Sequence, residues 1–539
     1  MDETKPTRSS PWFDSVPDEL RWKPLRSNVH ADITVIGAGM VGVLAAWYLA
    51  KTGKHVVLLE KNRVATGETG FSTAFLTRIP DVSSLSGTVK KYSVGYVENL
   101  LAANRAMQRE LFSLIEQEHI DCDFHLCSSY YFSCDEHDAV LQKEWSIIKQ
   151  LNTPAEYVGS DVGVVFPPAQ SAVLFPDEGR FDVRKFLFGL LATETGKKIR
   201  VFEESAVLGM NVAKKDVQVK TERGTVHNAS VILATGSPAE LLPETKNLFS
   251  PVKTYALLAQ YPKRVNLADA LLWDTGHPYH YLRLVNERTV MLGGEDHPAH
   301  EQHDAGKRFA ALERFLRENL SGDYSITHAW TGTLYDSADE LPFATEHPRY
   351  RNKVIFVSGL AGNGIVMGAL AGTIAASLAI GTPHPASELF SLRRANMTLL
   401  ESKPKTPIAA KHKKTKTSGE KNKAHAAKNT TPLLRFAIPV LLFFLFLVPG
   451  YSFFHLRGGF SFLSGLALTS LSHALFPLVG LYAFFFVWSQ VMIGTNRDWL
   501  KQYFPGIMRF HRAEGVFALL FACLHPVLLL IGVGLTAYF

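Results

Sequence analysis

The sequence predicts an α/β region followed by an α-helical membrane region. Residues 31–400 have the mixed pattern of strands and helices, whereas the last hundred residues are overwhelmingly apolar. A glycine-rich turn between a strand and a helix, near the N-terminus, is typical of a nucleotide-binding fold. The chain has 539 residues, so we expect about two to four structural units rather than a single small domain.

The first motif is a G-x-G-x-x-G turn at Gly37–Gly42. The apolar strand Asp32–Ile36 leads into it and the helical stretch Val43–Ala50 follows it. The three glycines permit a tight turn, a close approach of a pyrophosphate and close packing of helix on strand. A second strand, His55–Leu59, ends in Glu60, whose carboxylate can accept both ribose hydroxyls. We therefore predict a dinucleotide site, in preference to a glycine turn without a ligand.

Two later segments favour FAD over NAD. Residues Arg63–Ala74 form a loop rich in glycine and hydroxyl groups, able to bind a second phosphate or a flavin ring. The strand Val354–Ser358 runs into Gly359–Gly364 and then into a small-residue helix, Ile365–Ala379. The positive end of that helix dipole would face the electron-rich N1/O2 edge of a reduced flavin.

With these motifs, the chain from about Ser10 to Phe390 resembles the FAD-dependent oxidoreductases of the D-amino-acid oxidase and glycine oxidase type. Further motifs resemble the subgroup often fused to a Rieske domain: Pro11–Asp14, Gly67–Gly70, Pro278–Arg283, Gly293–Asp296, Trp330–Gly332 and Asp339–Pro342. Two features depart from that subgroup. Phe71–Phe75 stands where Arg-Thr-Thr-Ala-His is common, and no Rieske Cys/His pairs exist.

The resemblance implies a Rossmann-like FAD-binding domain with an interleaved antiparallel-sheet substrate domain, followed by the α-helical transmembrane domain. After an N-terminal extension, 1–30, the oxidoreductase would span 31–395. Its FAD-binding parts would be about 31–110, 170–250 and 330–395, and its substrate parts about 111–169 and 251–329. The expected FAD-binding residues are Gly37, Gly39, Met40, Val41, Gly42, Glu60, Lys61, Thr66, Gly67, Thr69, Ser72, Thr73, Val207, Thr235, Gly236, Gly359, Gly362, Asn363 and Gly364.

The chain contains one G-x-G-x-x-G, so electrons are expected to enter from an organic substrate rather than from NAD(P)H. The resemblance implies hydride transfer to the flavin from a C–H bond next to an amine. A carboxylate-bearing substrate would need an arginine beside the flavin, and Arg283 with Tyr279 and Tyr281 is the predicted cluster. The alternative is a sheet arginine with a solvated guanidinium. His280 and His297 are interpreted as structural or surface residues.

Three long uncharged runs predict membrane helices at about 433–454, 472–494 and 513–535. The middle run is longer than one span requires and allows a tilted helix or a re-entrant piece. Lys and Arg flank the first span on its N-terminal side and separate the second from the third, which predicts a multi-pass cell-membrane protein with a cytoplasmic catalytic domain. A Lys-rich linker, 396–431, is expected to be disordered or to lie on anionic lipid.

His511 and His525 lie fourteen residues apart on one apolar helix, the helix that includes the third predicted span. This spacing returns to within roughly 40° of one helix face and rises about 21 Å, which suits two stacked haems. It resembles the haem-binding helix of ferric reductase and NADPH oxidase membrane domains, where two helices each carry such a pair. No second pair exists here, which leaves a truncated chain, a homodimer, or one haem between His525 and His473. Alternatively, His511 is interfacial and His525 hydrogen-bonds a neighbouring helix.

The charge pattern excludes a nucleic-acid-binding surface. Nine Lys against two Glu in residues 401–431 account for the net charge of +6. Four cysteines without a C-x-x-C pair fit a reduced compartment.

The main hypothesis is a membrane-anchored flavoprotein that oxidises an amine or amino-acid-like substrate and passes electrons to a b-type haem. The alternatives are an oxygen-using oxidase merely anchored by its helices and a non-catalytic FAD-containing scaffold.

Overall fold

A computed structural model describes residues 9–17, 20–301, 304–382, 384–395, 408–409 and 479. The chain divides into two units, Met1–Lys414 and Thr415–Phe539, and every described residue except Val479 lies in the first. The three predicted membrane spans and most of the predicted linker therefore lie outside the described residues. No helix in the described ranges is both long enough and apolar enough to cross a bilayer.

The helices and strands of the described residues are numbered in chain order. The helices are α1 Met40–Lys51, α2 Leu85–Lys91, α3 Val94–Gln117, α4 Ala139–Ile148, α5 Val183–Ala192, α6 Ala305–Asn319 and α7 Val366–Ala379. The strands are β1 Val29–His30, β2 Ile33–Ile36, β3 Val56–Leu59, β4 Phe75–Leu76, β5 His125–Ser133, β6 Glu156–Val158, β7 Ser171–Arg180, β8 Arg200–Phe202, β9 Val207–Val212, β10 Val217–Thr221, β11 Thr225–Asn228, β12 Ser230–Leu233, β13 Phe249–Gln260, β14 Ala270–Asp274, β15 His280–Asn286, β16 Thr289–Pro298, β17 Ser325–Ser337, β18 Phe343–Glu346, β19 Val354–Ser358 and β20 Ile408–Ala409.

A six-stranded sheet, ordered β18-β19-β12-β2-β3-β8, carries the predicted nucleotide-binding elements. Its strands are parallel except for the edge strand β18. Every residue of β2, β3, β12 and β19 is buried, as expected of a parallel sheet covered on both faces. The predicted order of strand, glycine turn and helix is confirmed here, with α1 following β2.

Helices α1 and α7 pack against each other beside this sheet. A Cβ on Gly372 of α7 would lie 2.7 Å from the carbonyl oxygen of Val41 in α1. This glycine therefore permits the close approach of the two backbones. Helix α1 follows β2 and helix α7 follows β19. The two glycine-rich segments predicted to contact the cofactor therefore both follow strands of the same sheet.

A nine-stranded sheet forms the second large layer, ordered β17-β13-β16-β15-β14-β5-β7-β4, with β6 on β7. All its pairs are antiparallel except β14 with β5. It contains β7 and β17, which lie wholly or partly within residues 170–250 and 330–395, the ranges predicted as FAD-binding. These pairings are long-range, since β7 joins β5 and β17 joins β13, and a local hydrophobic pattern does not reveal a strand's partner.

A third sheet of five strands, β1-β11-β10-β9-β20, lies on the same chain unit. Ile408–Ala409, within the predicted linker, pairs with β9. The predicted disordered linker is thus extended at this point, where the edge of β9 offers its backbone groups as a template for another strand.

Candidate functional site

The glycine turn after β2 is closed by backbone contacts that leave no room for side chains. Gly37 has φ of +102°, and a Cβ there would lie 2.4 Å from the Ala234 carbonyl oxygen. A Cβ on Gly42 would lie 1.8 Å from the Gly37 carbonyl oxygen. Helix α1 begins after Gly39 without a side-chain cap from that residue. Its Met40 amide donates to Thr69 Oγ1, and the next amides of its first turn, which have no acceptor within the helix, can bind an anion.

Glu60, at the end of β3, is fixed against the same turn. Its Oε2 accepts a hydrogen bond from the Ala38 amide and its Oε1 accepts one from the Asn62 amide, each at 2.9 Å. Each carboxylate oxygen keeps a further lone pair for a ribose hydroxyl. The next residue, Lys61, is exposed.

The other predicted adenosine-side residues lie on two further strands. Val207 begins β9 and is half-buried. Thr235 and Gly236 follow β12; the Thr235 hydroxyl donates to the Ser237 carbonyl at 2.8 Å, and Gly236 has φ of +74°. The Gly236 carbonyl accepts from the Ser358 hydroxyl at 2.6 Å, which joins the ends of β12 and β19.

The hydroxyl-rich loop lies directly on the glycine turn. Thr69 Oγ1 accepts a hydrogen bond from the Met40 amide at 3.0 Å, and a Cβ on Gly39 would lie 2.7 Å from the same oxygen. Elsewhere in the loop, the Thr66 hydroxyl donates a hydrogen bond to the Arg63 carbonyl, and Ser72 Oγ accepts one from the Ala74 amide. The structure thus brings two separately predicted segments into contact.

Four successive carbonyls of this loop, residues 70–73, each accept a hydrogen bond from a different side chain. We call these four residues the flavin loop. The donors are Ser10 Oγ to Gly70, Trp330 Nε1 to Phe71 at 2.8 Å, Trp12 Nε1 to Ser72 at 2.6 Å, and Arg283 Nε to Thr73 at 3.0 Å. Because a trans peptide places its N–H opposite its C=O, these donors fix the direction of every peptide in the loop.

Three of those donors received no role from the sequence. Trp12 and Trp330 belong to motifs that carried only the family resemblance, and Ser10 lies in the segment before the first strand. One signal was present: an indole N–H buried on folding needs a partner, and Trp12 and Trp330 are both buried. The identity of that partner depends on the tertiary fold, since Trp12 and Ser72 are 60 residues apart.

Arg283, the residue predicted to bind a substrate carboxylate, contacts the flavin loop. Its side chain lies inside the protein and is only 1% exposed. Its Nη1 donates to the Leu284 carbonyl at 3.1 Å, and its guanidinium lies over the Trp12 ring. Burial, with Arg180 nearby, lowers its pKa to about 9. Bulk solvent does not reach this group. Its Nε contact supports the flavin loop, and its Nη2 is buried without a hydrogen-bond partner among the described residues.

Tyr279 and Tyr281 form an aromatic pair with ring centroids 5.7 Å apart. The Tyr281 ring covers Gly293 of β16, where a Cβ would lie 2.4 Å from ring atoms. Its hydroxyl is 3.4 Å from Thr254 Oγ1 on β13. Burial raises the pKa of both phenols well above the ordinary value, so both remain protonated.

The loop before α7 meets this aromatic pair through Asp81. Asn363 Oδ1 accepts from the Asp81 amide at 2.6 Å, and Asn363 Nδ2 donates to the Asp81 carbonyl at 2.9 Å. The Asp81 carboxylate lies against Gly362, where a Cβ would be 1.8 Å from Oδ2. The Tyr279 hydroxyl lies 3.3 Å from the same oxygen.

The two ends of this loop suit a close approach to the backbone. Gly359 has φ of +75°, and a Cβ added to Gly364 would meet no atom within 4 Å. Helix α7 begins after Ile365 without a side-chain cap. Its Gly368 amide donates to the Asn363 carbonyl at 3.1 Å, whereas the amides of Val366 and Met367 have no acceptor within the helix. The predicted residues Gly359, Gly362, Asn363 and Gly364 therefore belong to one segment that leads into these open amides.

Three carboxylates near this loop were not predicted as site residues. Desolvation and neighbouring carboxylates together raise the pKa of Asp81, Asp296 and Asp336 to about 6 in each case. Asp296 was noted only within a family motif, and no local pattern marks Asp81. Their approach depends on the register of the nine-stranded sheet and on the Asp81–Asn363 contact across 282 residues.

The histidines of this region serve the sheet. His280 lies between Asp274 at 3.1 Å and Glu295 at 3.6 Å, with its ring stacked on Phe315. His297 Nε2 bonds the Tyr255 hydroxyl at 3.0 Å. No cluster of metal-ligating side chains occurs in the described part of the chain, and the predicted haem ligands His511 and His525 lie outside it.

The described residues fit FAD. Two uncapped helix N-termini, α1 and α7, offer amides to anionic groups. The glycine turn admits a pyrophosphate because side chains are excluded there, and Glu60 keeps lone pairs for a ribose. The segment that contains the flavin loop contacts the glycine turn through the hydrogen bond between Thr69 and Met40. An extended dinucleotide needs such a continuous binding surface.

Comparison with known proteins agrees with this geometry. Residues 32–378 match the model of the DAO family, FAD dependent oxidoreductase. The glycine oxidase of Bacillus licheniformis is 26% identical over 368 residues, covering 65% of this chain and 94% of that protein. YhfW of Bacillus subtilis (strain 168), whose name describes it as a Rieske 2Fe-2S iron-sulfur protein, is 22% identical over 391 residues, 69% of this chain and 73% of its own.

A solved structure shares the fold. The crystal structure of glycine oxidase from Geobacillus kaustophilus aligns with a TM-score of 0.56 at 19% identity, covering 68% of this chain and 99% of that one. The family match extends over more than half of the chain and contains the glycine turn, the flavin loop and most of α7. The chain therefore belongs to the DAO family of FAD-dependent oxidoreductases.

Proposed function

We propose that this chain oxidises a C–N bond of a small amine or amino-acid-like substrate at the surface where the flavin loop, the α7 N-terminus and the Tyr279–Tyr281 pair meet. When bound, FAD supplies the hydride acceptor for this chemistry. The chain's own residues hold the cofactor at Glu60 and the glycine turn, fix the flavin loop, and present the two phenols to the substrate. The observation that carries the proposal is the four-fold anchoring of the flavin loop beside an aromatic, carboxylate-lined surface.

The test is an anaerobic titration of the purified full-length protein loaded with FAD. Candidate amines and amino acids are added in one series and NADH in another, and flavin absorbance is recorded. We expect bleaching by an organic substrate and none by NADH, because the described residues contain one dinucleotide turn. Reduction by NADH alone would overturn the proposed entry of electrons.

We further propose that the C-terminal region anchors the protein in the cell membrane as a multi-pass segment, with the catalytic unit on the cytoplasmic side. A b-type haem in this region would receive the electrons one at a time. The support comes from the sequence: three apolar runs, the Lys/Arg distribution, and the spacing of His511 and His525.

Visible spectroscopy of the detergent-solubilised protein tests this second proposal. We expect a haem Soret band that is lost in His525→Ala while bound flavin is retained. His455→Ala is the matched control, because the sequence places His455 at the edge of a predicted span, and it should keep the band. Absence of haem in the wild type, or its persistence in His525→Ala, would contradict the ligand assignment.

A further inference from the structure

We propose that the substrate is an organic ammonium ion without a carboxylate beside its nitrogen, and that Asp81, Asp296 and Tyr279 bind its positive charge. This inference rests on the proposed function, because it assigns the substrate class of the same site. It replaces the sequence-based expectation that an arginine binds a substrate carboxylate.

The geometry joins two distant carboxylates through one hydroxyl. Tyr279 Oη lies 3.3 Å from Asp81 Oδ2 and 3.4 Å from Asp296 Oδ2. Asp81 is held to the loop before α7 by Asn363, whereas Asp296 belongs to β16. The three groups therefore lie where the cofactor-binding loop meets the nine-stranded sheet.

The negative charge at this place has no counter-ion among the described residues. Nearby acids are neutralised: Asp339 pairs with Arg394 at 2.8 Å and Glu295 pairs with Arg308 at 2.9 Å. By contrast, Asp81, Asp296 and Asp336 form no ion pair within the described part of the chain.

The surroundings of Asp296 make the absence of a counter-ion for its carboxylate unfavourable. Asp296 is half-buried, and its Oδ1 is enclosed without a well-aligned donor. Although Thr254 and Tyr279 lie close enough to bond its carboxylate, burial together with Asp336 and Glu295 raises its pKa to about 6. A buried charge is normally paired, because leaving it unpaired costs free energy. A bound cation would supply the missing partner.

The aromatic pair provides a second feature suited to a cation. The rings of Tyr279 and Tyr281 are 5.7 Å apart and inclined by 37°. Their faces carry negative electrostatic potential that attracts ammonium groups. Because burial keeps both phenols protonated, the pair adds attraction for a cation without adding charge.

The described part of this site presents no cationic side chain that could bind a substrate carboxylate. Arg283 is 1% exposed, two of its nitrogens donate to backbone carbonyls, and its Nη2 is enclosed in the protein interior without a partner among the described residues. Lys253 donates to Thr333 Oγ1 at 2.6 Å and lies close to the carboxylate of Glu68. A carboxylate beside the substrate nitrogen would instead approach Asp81 and Asp296, and like charges repel.

The experiment compares amines with and without a carboxylate in the full-length, FAD-loaded protein under anaerobic conditions. The probes are 1,4-diaminobutane, 4-aminobutanoate and glycine, with tetramethylammonium as a cation that cannot form an imine and acetate as an anion. We expect 1,4-diaminobutane to perturb or bleach the flavin spectrum at concentrations at least about tenfold below those needed for 4-aminobutanoate or glycine. Tetramethylammonium should compete, and acetate should not.

Variants locate the effect. Asp296→Asn and Asp81→Asn should each weaken the response to 1,4-diaminobutane by about tenfold or more while FAD stays bound. Tyr279→Phe keeps the ring and should have a smaller effect. Glu222→Gln, an exposed acid on the β10–β11 turn, is the control and should match the wild type.

The outcomes separate this inference from the proposed function. If glycine or 4-aminobutanoate bleaches the flavin and binds as tightly as 1,4-diaminobutane, the cation assignment is overturned and the oxidoreductase function stands. If cations perturb the flavin but nothing reduces it, the proposed function fails and cation binding stands. No response to 1,4-diaminobutane and tetramethylammonium, or an unchanged response in Asp296→Asn, overturns the inference.

Discussion

Arg283 and Asp296 show how burial reassigns the chemistry of single residues in this protein. An arginine beside two tyrosines suggested carboxylate binding; Arg283 is 1% exposed, and its Nε and Nη1 donate to backbone carbonyls. Asp296, which had only a place in a motif, accepts a hydrogen bond from Tyr279 at Oδ2 and has a buried Oδ1 without a well-aligned donor. The difference lies in solvation and pairing, which depend on neighbours distant in the sequence.

Asp296 should make the stability of the protein depend on pH. Its pKa, raised to about 6 by burial and by neighbouring acids, means that the folded state holds this proton more tightly than the unfolded state. The associated stability is present at low pH and is lost as the pH rises through about 6. Asp296→Asn should therefore be more stable than the wild type at pH 7.5, by about 1–2 kcal/mol, with a smaller gain at pH 5.

The measurement is thermal or urea unfolding in phosphate buffer without amines. The groups that face Asp296 are Asp81, Asp336, Glu295, Tyr279 and Thr254, and the first three are titratable acids that strengthen the trend. Glu222→Gln should show no comparable gain. A variant Asp296→Asn that is less stable than the wild type at pH 7.5 would contradict the expected sign.

Between elements, the flavin loop connects four parts of the chain. The N-terminal 3-10 turn Pro11–Phe13, strand β15, strand β17 and the residue before that turn each supply one donor to it. The N-terminal turn is itself held by Arg184, whose Nη1 donates to the Trp12 carbonyl at 2.9 Å. The loop is thus positioned from outside, and its own residues remain available to the cofactor.

Trp12→Phe should weaken FAD binding more than it weakens the fold. The change removes the indole donor to the Ser72 carbonyl and leaves that carbonyl unpaired, at a cost of about 1–3 kcal/mol. We expect the dissociation constant for FAD, measured by flavin fluorescence titration, to rise about tenfold. Trp145→Phe on α4 is the control, since its ring contacts Tyr157 and Lys149.

A purely structural role for Trp12 would give another pattern. In that case, Trp12→Phe would lower the unfolding temperature of the FAD-free protein, and the affinity for FAD would stay at the wild-type value. That result would show that the N-terminal turn does not position the flavin loop.

Across the first chain unit, a fully buried ion pair connects the segment after the flavin loop to the nine-stranded sheet. Arg78 Nε donates to Glu178 Oε1 at 2.7 Å, and both side chains are 0% exposed. Gln108 of α3 also donates to Glu178. Burial raises the pKa of Glu178 to about 7 even beside this arginine, so the desolvation of the carboxylate exceeds the stabilisation that its partner provides.

Arg78→Met should therefore destabilise the fold by about 3 kcal/mol at pH 8, because it leaves an uncompensated buried carboxylate. The loss should shrink at pH 5, where Glu178 takes up a proton. Adding Glu178→Gln to Arg78→Met should recover part of the loss by removing the charge. Unfolding of the two variants at both pH values checks this, and an equal loss for the single and double variants would contradict the role of the charge.

The order of residues along the chain was sufficient to predict the strands, glycine turns and helices of the nucleotide-binding sheet, and the FAD-dependent family to which the chain belongs. The strand, the glycine turn and the helix α1 are consecutive, and so are β19, its glycine loop and α7, so steric arguments about neighbours in the sequence predict these elements. Three other features depend on pairings between segments that are distant in the sequence. They are the sheet to which β7 and β17 belong, the anchoring of the flavin loop by Ser10, Trp12, Trp330 and Arg283, and the approach of Asp81 to Asp296. Those contacts set which polar groups are solvated, paired or left alone, and solvation and pairing decide what each group can bind.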